Sequence, residues 1–493
     1  MPDASPIRAL KLRYQLEVLD ASEVTKVYES ALEVLRRVGI ATSSERLLKL
    51  MADNGQEVDF ETNRIRFSHE FVEEKIALAP RHLTLGARDP ARDLDLDGKH
   101  AYLTTDGCAP EILDIDTGQR RSSTKADLGN LTRLSDALPE IGFTWRSVGA
   151  GDTPAEVRSL HEVEVQFNNT TKHVQSGSGT DPFNARGVVE MCRAVAGSAE
   201  ALRERPLFSS NQCIISPLFW DEGPLDCFEI YAEAGLPISI TSMALACATT
   251  PATVAGDVVL SIAEVLSGLV ILQTMSPGAR ALCTAYPSTM NLRSGALNLA
   301  FGPDDTMAAM ACVQVFRHLG LPCTSGMLGT GAKESNWQAG LQATLTAVKS
   351  ALVPADLFSG AGGLYGSNVF SPVQLLLDCE IFDIVATWMD GYTFDDEHIG
   401  IDVIEKVGPA NHFLTSHHTR EHMRDLWSSK FMDAGSWEQW RAAGEPTPAV
   451  AAEAEARRIL AEHQPVPLAE DVAAELSLIV ASYERQALDT GAR

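Results

Sequence analysis

The 493-residue chain is poor in aromatic residues (6%) and in basic ones, with 40 Lys and Arg against 66 Asp and Glu, for a formal charge of −26. So acidic a chain repels phosphate backbones and anionic bilayers, so neither nucleic acid nor a membrane surface is expected as a partner. Cysteine is sparse and unpatterned. The nine thiols (108, 192, 213, 227, 247, 283, 312, 323 and 379) are odd in number and include no Cys-x-x-Cys. This argues against a disulfide framework and a zinc ribbon, and fits reduced thiols in a cytoplasmic protein. No basic, apolar leader opens the chain, which points the same way. Metal signatures are also missing. His418 and His422 lie four apart without a His-Glu-x-x-His pattern, and Asp93-Leu-Asp-Leu-Asp97 lacks the glycine and glutamate of an EF-hand, so no resident metal is expected. Only one apolar run is long, Val258 to Met275. Glu264 and Gln273 interrupt it and Pro277 follows, which suits a buried helix better than a membrane span.

What is present is a large apolar fraction, 45%, enough for an extensive core. Residues 1–100 read as an N-terminal α+β extension. It holds helices over Glu23–Val38 and Ser44–Ala52, a hairpin of Val58–Phe60 with Ile65–Phe67, and a helix opened by Ser68. Residues 101–392 alternate short apolar strands with helices. The strand candidates are Ala101–Thr105, Gly142–Val148, Lys172–Ser176, Pro206–Gln212, Pro237–Ser242, Arg280–Ala285, Pro322–Ser325 and Asp356–Gly360. Each interval has the roughly 30 residues a βα unit needs. Thr124-Lys-Ala-Asp127 is a capping box, Thr153-Pro-Ala-Glu156 and Ser371-Pro-Val-Gln374 open further helices, and Leu341, Leu345, Val348 and Leu352 line one more. Eight such units predict an α/β fold, a closed (β/α)8 TIM barrel. Residues 393–493 read as a helical region packed on the barrel or on a second subunit, with helices over Thr415–Lys430, Ser436–Ala443, Pro448–His463 and Leu468–Leu488.

A barrel of this kind carries its site at the strand C-termini. There the sequence places Asp106 and Gly107; Arg146 and Ser147; Gln175, Ser176 and Gly177; Asn211 and Gln212; Thr241, Ser242 and Met243; Thr284 and Tyr286; Ser325, Gly326 and Met327; and Ser359, Gly360 and Ala361. The set is neutral and polar, without a histidine cluster or paired acids. This disfavours glycosidase and zinc-hydrolase chemistry. Aromatics near these ends are Trp145, Phe219, Trp220, Tyr286, Trp337, Tyr365 and Phe370. A cage of rings binds a quaternary ammonium by cation–π attraction, each ring contributing about 0.5–2 kcal/mol. The candidate substrate-binding set is Trp145, Gln175, Asn211, Tyr286, Ser359 and Tyr365. Glycine-rich segments follow the last two strands, Ser325-Gly-Met-Leu-Gly-Thr-Gly-Ala-Lys333 and Gly360-Ala-Gly-Gly-Leu-Tyr-Gly366. They allow a large group to approach the backbone.

Several stretches together resemble the trimethylamine:corrinoid methyltransferase family. They are Val38-Gly39-Ile40, Ala109-Pro-Glu-Ile-Leu-Asp-Ile-Asp-Thr-Gly118, Ser123-Thr124 with Asp127-Leu128, Leu134-Ser-Asp-Ala-Leu-Pro139, Ala248-Thr-Thr-Pro-Ala-Thr-Val-Ala-Gly256, Lys333 with Gln338-Ala-Gly340, Gly360-Ala-Gly-Gly363 and Phe413-Leu-Thr415. The resemblance spans about residues 20–490. It implies a (β/α)8 barrel that moves a methyl group from an amine to the cobalt(I) of a corrinoid (cobalamin) carried by a separate, cognate protein. Amine-active members carry pyrrolysine in the stretch aligned with Gly326–Gly331, where this chain reads Gly-Met-Leu-Gly-Thr-Gly. The chain thus resembles the non-pyrrolysine branch, which includes glycine betaine methyltransferases, although Ser359 stands where some relatives have histidine. The implied substrate is a small quaternary amine and a homo-oligomer is expected. Gly326, Met327, Gly329, Gly331, Gly360, Gly362 and Gly363 would line the corrinoid entrance. Two other readings compete: a lyase or aldolase barrel forming a Schiff base at Lys333, and a non-catalytic binding protein for betaine-like solutes.

Overall fold

The computed structural model describes residues 7–176, 179, 181–298 and 302–491. Eight parallel strands form its centre: β1 (His100–Thr105), β2 (Ile141–Trp145), β3 (His173–Gln175), β4 (Phe208–Cys213), β5 (Ile238–Ser242), β6 (Ala281–Ala285), β7 (Cys323–Gly326) and β8 (Leu357–Ala361). Each pairs with its successor, and β8 returns to β1 through Leu357 beside Tyr102 and Phe358 beside Leu103, closing the barrel. The eight predicted strands are all present. Gly177 lies outside the described residues.

A helix follows each strand: α1 (Lys125–Ala137), α2 (Arg158–Asn169), α3 (Pro182–Ala196), α4 (Glu222–Glu233), α5 (Val254–Met275), α6 (Pro303–His318), α7 (Trp337–Leu352) and α8 (Pro372–Asp390). The Thr124–Asp127 capping box forms, and α1 buries Leu128, Leu131 and Leu134. Ser371 caps α8 by accepting from Gln374 N at 3.2 Å. Two expectations are corrected. Thr153 does not cap α2: its hydroxyl donates to Ala150 O at 2.7 Å, and a 3-10 turn over Ala155–Val157 precedes the helix at Arg158. Nor do Leu341 and Leu345 face the barrel. α7 turns Ala339, Gln342, Ala343, Thr346, Ala347 and Lys349 inward and leaves both leucines exposed. Small residues let α7 sit close to the barrel wall, and that outweighs the apolar stripe.

Helix α5 is long and apolar enough to cross a membrane, yet it is mostly buried within the fold. The helices Ala21–Arg37 and His69–Leu78 pack against it. The buried Glu264 explains the interruption in its apolar run. Its carboxylate accepts from Ser216 Oγ at 2.7 Å, Leu218 N at 2.9 Å and Ser242 Oγ at 2.6 Å, tying α5 to the loop after β4 and the end of β5.

The alternating stretch at Asp93 contributes a strand, Leu94–Leu96, antiparallel to Leu83–Leu85. Leu83, Leu85, Leu94 and Leu96 cluster with Tyr102, Phe143, Leu282 and Leu357, all on barrel strands, and so plug the N-terminal end of the barrel. Beyond residue 393 the helix expected over Thr415–Lys430 shrinks to His417–His422. The chain leaves the helix because Trp427 Nε1 donates to Asp383 Oδ2 at 3.0 Å and Lys430 N to Glu380 Oε1 at 3.2 Å, which anchor it to α8. Pro448–Glu462 packs on α8 and α1, and Glu470–Gly491 on α3 and α2.

Candidate active site

With the N-terminal end plugged, the barrel opens at the strand C-termini. The interior below is a hydroxyl and amide network. Ser239 and Thr284 hydroxyls lie 2.7 Å apart, and Thr241 Oγ1 donates to Asn211 Oδ1. Gln175 Nε2 donates to Ser209 Oγ at 3.1 Å, which also meets His173 Nε2 at 2.9 Å. Burial pushes His173 down to about 4, so its imidazole is neutral at pH 7.

Above this network lies a half-open cavity of about 140 Å³. Trp145, at the end of β2, forms one wall. Its indole N–H donates to Ser176 O at 2.9 Å. The ring lies so close to Gly107 that a Cβ there would come within 2.4 Å of it, so glycine is required beneath the indole. Tyr286, just past β6, shares a 2.8 Å hydrogen bond with Ser359 Oγ at the end of β8. Burial raises the phenol and holds it protonated. Asn211 lines the cavity from β4 and Met243 from beyond β5, and the Cys108 and Cys213 thiols border it.

Asp106, at the end of β1, is the buried carboxylate of this wall. Oδ1 accepts from Gly107 N at 2.9 Å. Oδ2 lies where a Cβ on Gly363 would come within 1.9 Å. Burial pushes the acid up to about 6. Behind it, Asp378 on α8 is pushed up to about 8, again chiefly by burial, and accepts from Gly362 N and Gln374 Nε2 at 2.8 Å each.

The structure therefore brings together Trp145, Asn211, Tyr286 and Ser359, with Gly326, Met327, Gly329 and Gly360 on the β7–β8 side. It does not bring in the rest. Gln175 is buried in the network below. Tyr365 stands at the surface, with the Lys333 ammonium 4.7 Å from its ring centroid. Gly331 is turned toward α7, where its N–H donates to Gln342 Oε1 at 3.1 Å. Gly362 and Gly363 serve internal packing. A Cβ on Gly362 (φ +86°) would come within 2.4 Å of the Phe370 ring, and Gly363 makes room for Asp106. Of the other rings considered, Trp220 and Phe370 are buried in the core and Trp337 is 79% exposed. Of the rings named from the sequence, Trp145 and Tyr286 line the cavity, together with the Asp106 carboxyl. Asp106 is legible as the first polar residue after β1. Lys349 and Asp305, which also line the cavity, lie on helices, where a reading confined to strand ends does not look.

The family described as trimethylamine methyltransferase (MTTB) matches residues 4–487. The chain belongs to this family. Among its relatives, a trimethylamine methyltransferase of Desulfitobacterium hafniense is 34% identical over 94% of this chain and 93% of its own length. A glycine betaine methyltransferase from another strain of that organism is 31% identical over 95% and 97%. In fold, the chain is similar to the monomethylamine methyltransferase of Methanosarcina barkeri, with a TM-score of 0.51 at 11% identity over 92% of this chain and 90% of that one. The protein is thus a methyltransferase, which overturns the reading of a non-catalytic binding protein. The Schiff-base reading also loses its footing. Lys333 is exposed outside the cavity and donates to Gly331 O at 2.8 Å.

Proposed function

We propose that this methyltransferase removes a methyl group from a quaternary amine of the betaine type and passes it to the cobalt(I) of a corrinoid borne by a separate protein. The observation that carries this reading is the placement of Trp145, Tyr286 and Asp106 around one cavity at the strand C-termini. Two aromatic faces and a carboxylate attract a cation that has no N–H to donate. The relatives that act on trimethylamine and on glycine betaine support the same substrate chemistry.

A quaternary ammonium already carries a neutral tertiary amine as its leaving group, so the departing nitrogen needs no proton. This agrees with ordinary residues throughout Gly326–Gly331. The acceptor cobalt(I) supplies the nucleophile. The wall contributed by Gly326, Gly329 and Gly360 presents no side chains, which suits the approach of a large planar macrocycle. The chain's own task is positioning. Trp145, fixed by Ser176, and Tyr286, fixed by Ser359, hold the nitrogen in one orientation and keep water from it, while Asp106 balances its charge.

The test is formation of methylcobalt from free cob(I)alamin and a panel of quaternary amines, followed by visible absorbance. Transfer from at least one quaternary amine, lost in Trp145→Ala, is expected. A folded enzyme that demethylates tertiary amines but no quaternary amine would refute the reading.

A further inference from the structure

The cavity does not end at the aromatic pair. It continues past Tyr286 and Met327 between α6 and α7, where Asp305, Thr306, Ala309, Thr346 and Lys349 line it. Lys349 is 8% exposed. Among the described residues no acceptor hydrogen-bonds its ammonium and no carboxylate forms an ion pair with it. Asp305 attracts it only from beyond ion-pair distance. Thr346 is occupied, with its hydroxyl donating within α7 and accepting from Leu328 N at 3.0 Å.

A second buried lysine shows how this fold treats a structural ammonium. Lys172 Nζ donates to the carbonyls of Ser135, Leu138 and Ile141 at 2.7, 2.7 and 2.5 Å. Burying a cation without such partners is costly. Lys349 bears that cost on the wall of an open cavity, and burial pushes it down to about 8. Elsewhere the same cavity is lined by Trp145, Tyr286 and the Asp106 carboxyl, which suit a cation. A ligand that satisfies both parts is positive at one and negative at the other.

We propose that Lys349 is the residue that recognises the carboxylate of the betaine-type substrate, in the part of the cavity between α6 and α7. The cationic end of this assignment rests on the function proposed above, whereas the anionic end rests on Lys349 alone. A carboxylate there supplies the missing acceptors and excludes trimethylamine and other simple amines as best substrates.

Calorimetry on the full chain tests this with four probe sets: tetramethylammonium, trimethylammonio-carboxylates with one to five methylenes, the matching trimethylammonio-alcohols, and plain carboxylates of equal length. The wild type should bind the best zwitterion at least about tenfold more tightly than its alcohol, as a charge-assisted hydrogen bond implies. Lys349→Met should erase that preference while leaving tetramethylammonium affinity unchanged, and Lys349→Arg should keep most of it. A melting curve confirms that each variant folds. Equal binding of acid and alcohol by the wild type, or a preference surviving in Lys349→Met, overturns the assignment. Plain carboxylates binding through Lys349 while no ammonium compound binds would keep Lys349 as an anion site and defeat the quaternary-amine reading. Tetramethylammonium and the alcohols binding with no gain from the acid would do the reverse. Binding of none of the four sets would sink both.

Discussion

Asp106 makes cation binding depend on pH in a direction the structure dictates. Its ordinary value is 3.8 and burial raises it to about 6. That gap, at about 1.36 kcal/mol per pH unit, is an upper bound of roughly 3 kcal/mol held against the ionised folded form. The folded state therefore binds more protons than the unfolded one between pH 4 and 6. Stability from this group is full below pH 4, falls through that window, and stays at its lower level above pH 6. A quaternary ammonium beside the carboxylate reverses the penalty by favouring the charged form, so binding releases a proton. Affinity must then rise with pH, by about tenfold between pH 5 and 7, and level off above. Titration calorimetry with tetramethylammonium, repeated in buffers of different ionisation enthalpy, reads both the dissociation constant and the proton count. Asp106→Asn should flatten the profile, weaken binding at pH 7, and raise the melting temperature of the ligand-free protein. Asp257 also stands at about 6, but it is bonded to Thr250 outside the cavity, so the Asp106 variant separates the two. A dissociation constant unchanged between pH 5 and 7 would show that Asp106 does not face the cation.

Gly326 has no special backbone requirement, and a Cβ there meets only the Tyr286 ring at 3.7 Å. Gly326→Leu should therefore fold normally yet fill the cavity, and methyl transfer should drop by at least about a hundredfold, since small displacements of reacting groups are this costly. Gly360→Ala behaves oppositely: its Cβ would come within 2.0 Å of Met327 O at φ +133°, so poor accumulation or a sharply lower melting temperature is expected. Glu264→Ala strips two buried donors, Leu218 N and Ser242 Oγ, and the half-buried Ser216 Oγ of their acceptor, and chemical denaturation should show a loss of about 3 kcal/mol. Leu341, Leu345 and Trp337 form an exposed apolar stripe on α7. We expect light scattering to give a mass above the 53.2 kDa of one chain and charged replacements of both leucines to lower it.

The barrel was legible because its strands are short apolar runs punctuated by proline, glycine and capping residues, and these signals are local. Pro206, Pro237 and Pro322 each stand just before a strand, where a missing N–H costs the ladder nothing. The strand ends then named Trp145, Asn211, Tyr286 and Ser359 directly, since β geometry fixes where a strand's last residues point. Gln175 satisfied the same rule, and stands level with Trp145 in the register, yet fell outside the cavity because its amide is turned to Ser209. The glycines show the limit more sharply. Gly326 and Gly362 are indistinguishable as letters, yet one borders open space and the other is pressed under Phe370, a residue brought back by a turn after β8. Lys349 was hidden for the converse reason. On α7 the leucines that look like a core stripe face outward, while alanines and threonine allow the helix to approach the barrel closely enough to bury a lysine. A charged residue set among small ones on a barrel helix therefore deserves the same scrutiny as a polar residue at a strand end, because only close packing can carry its head group into the cavity.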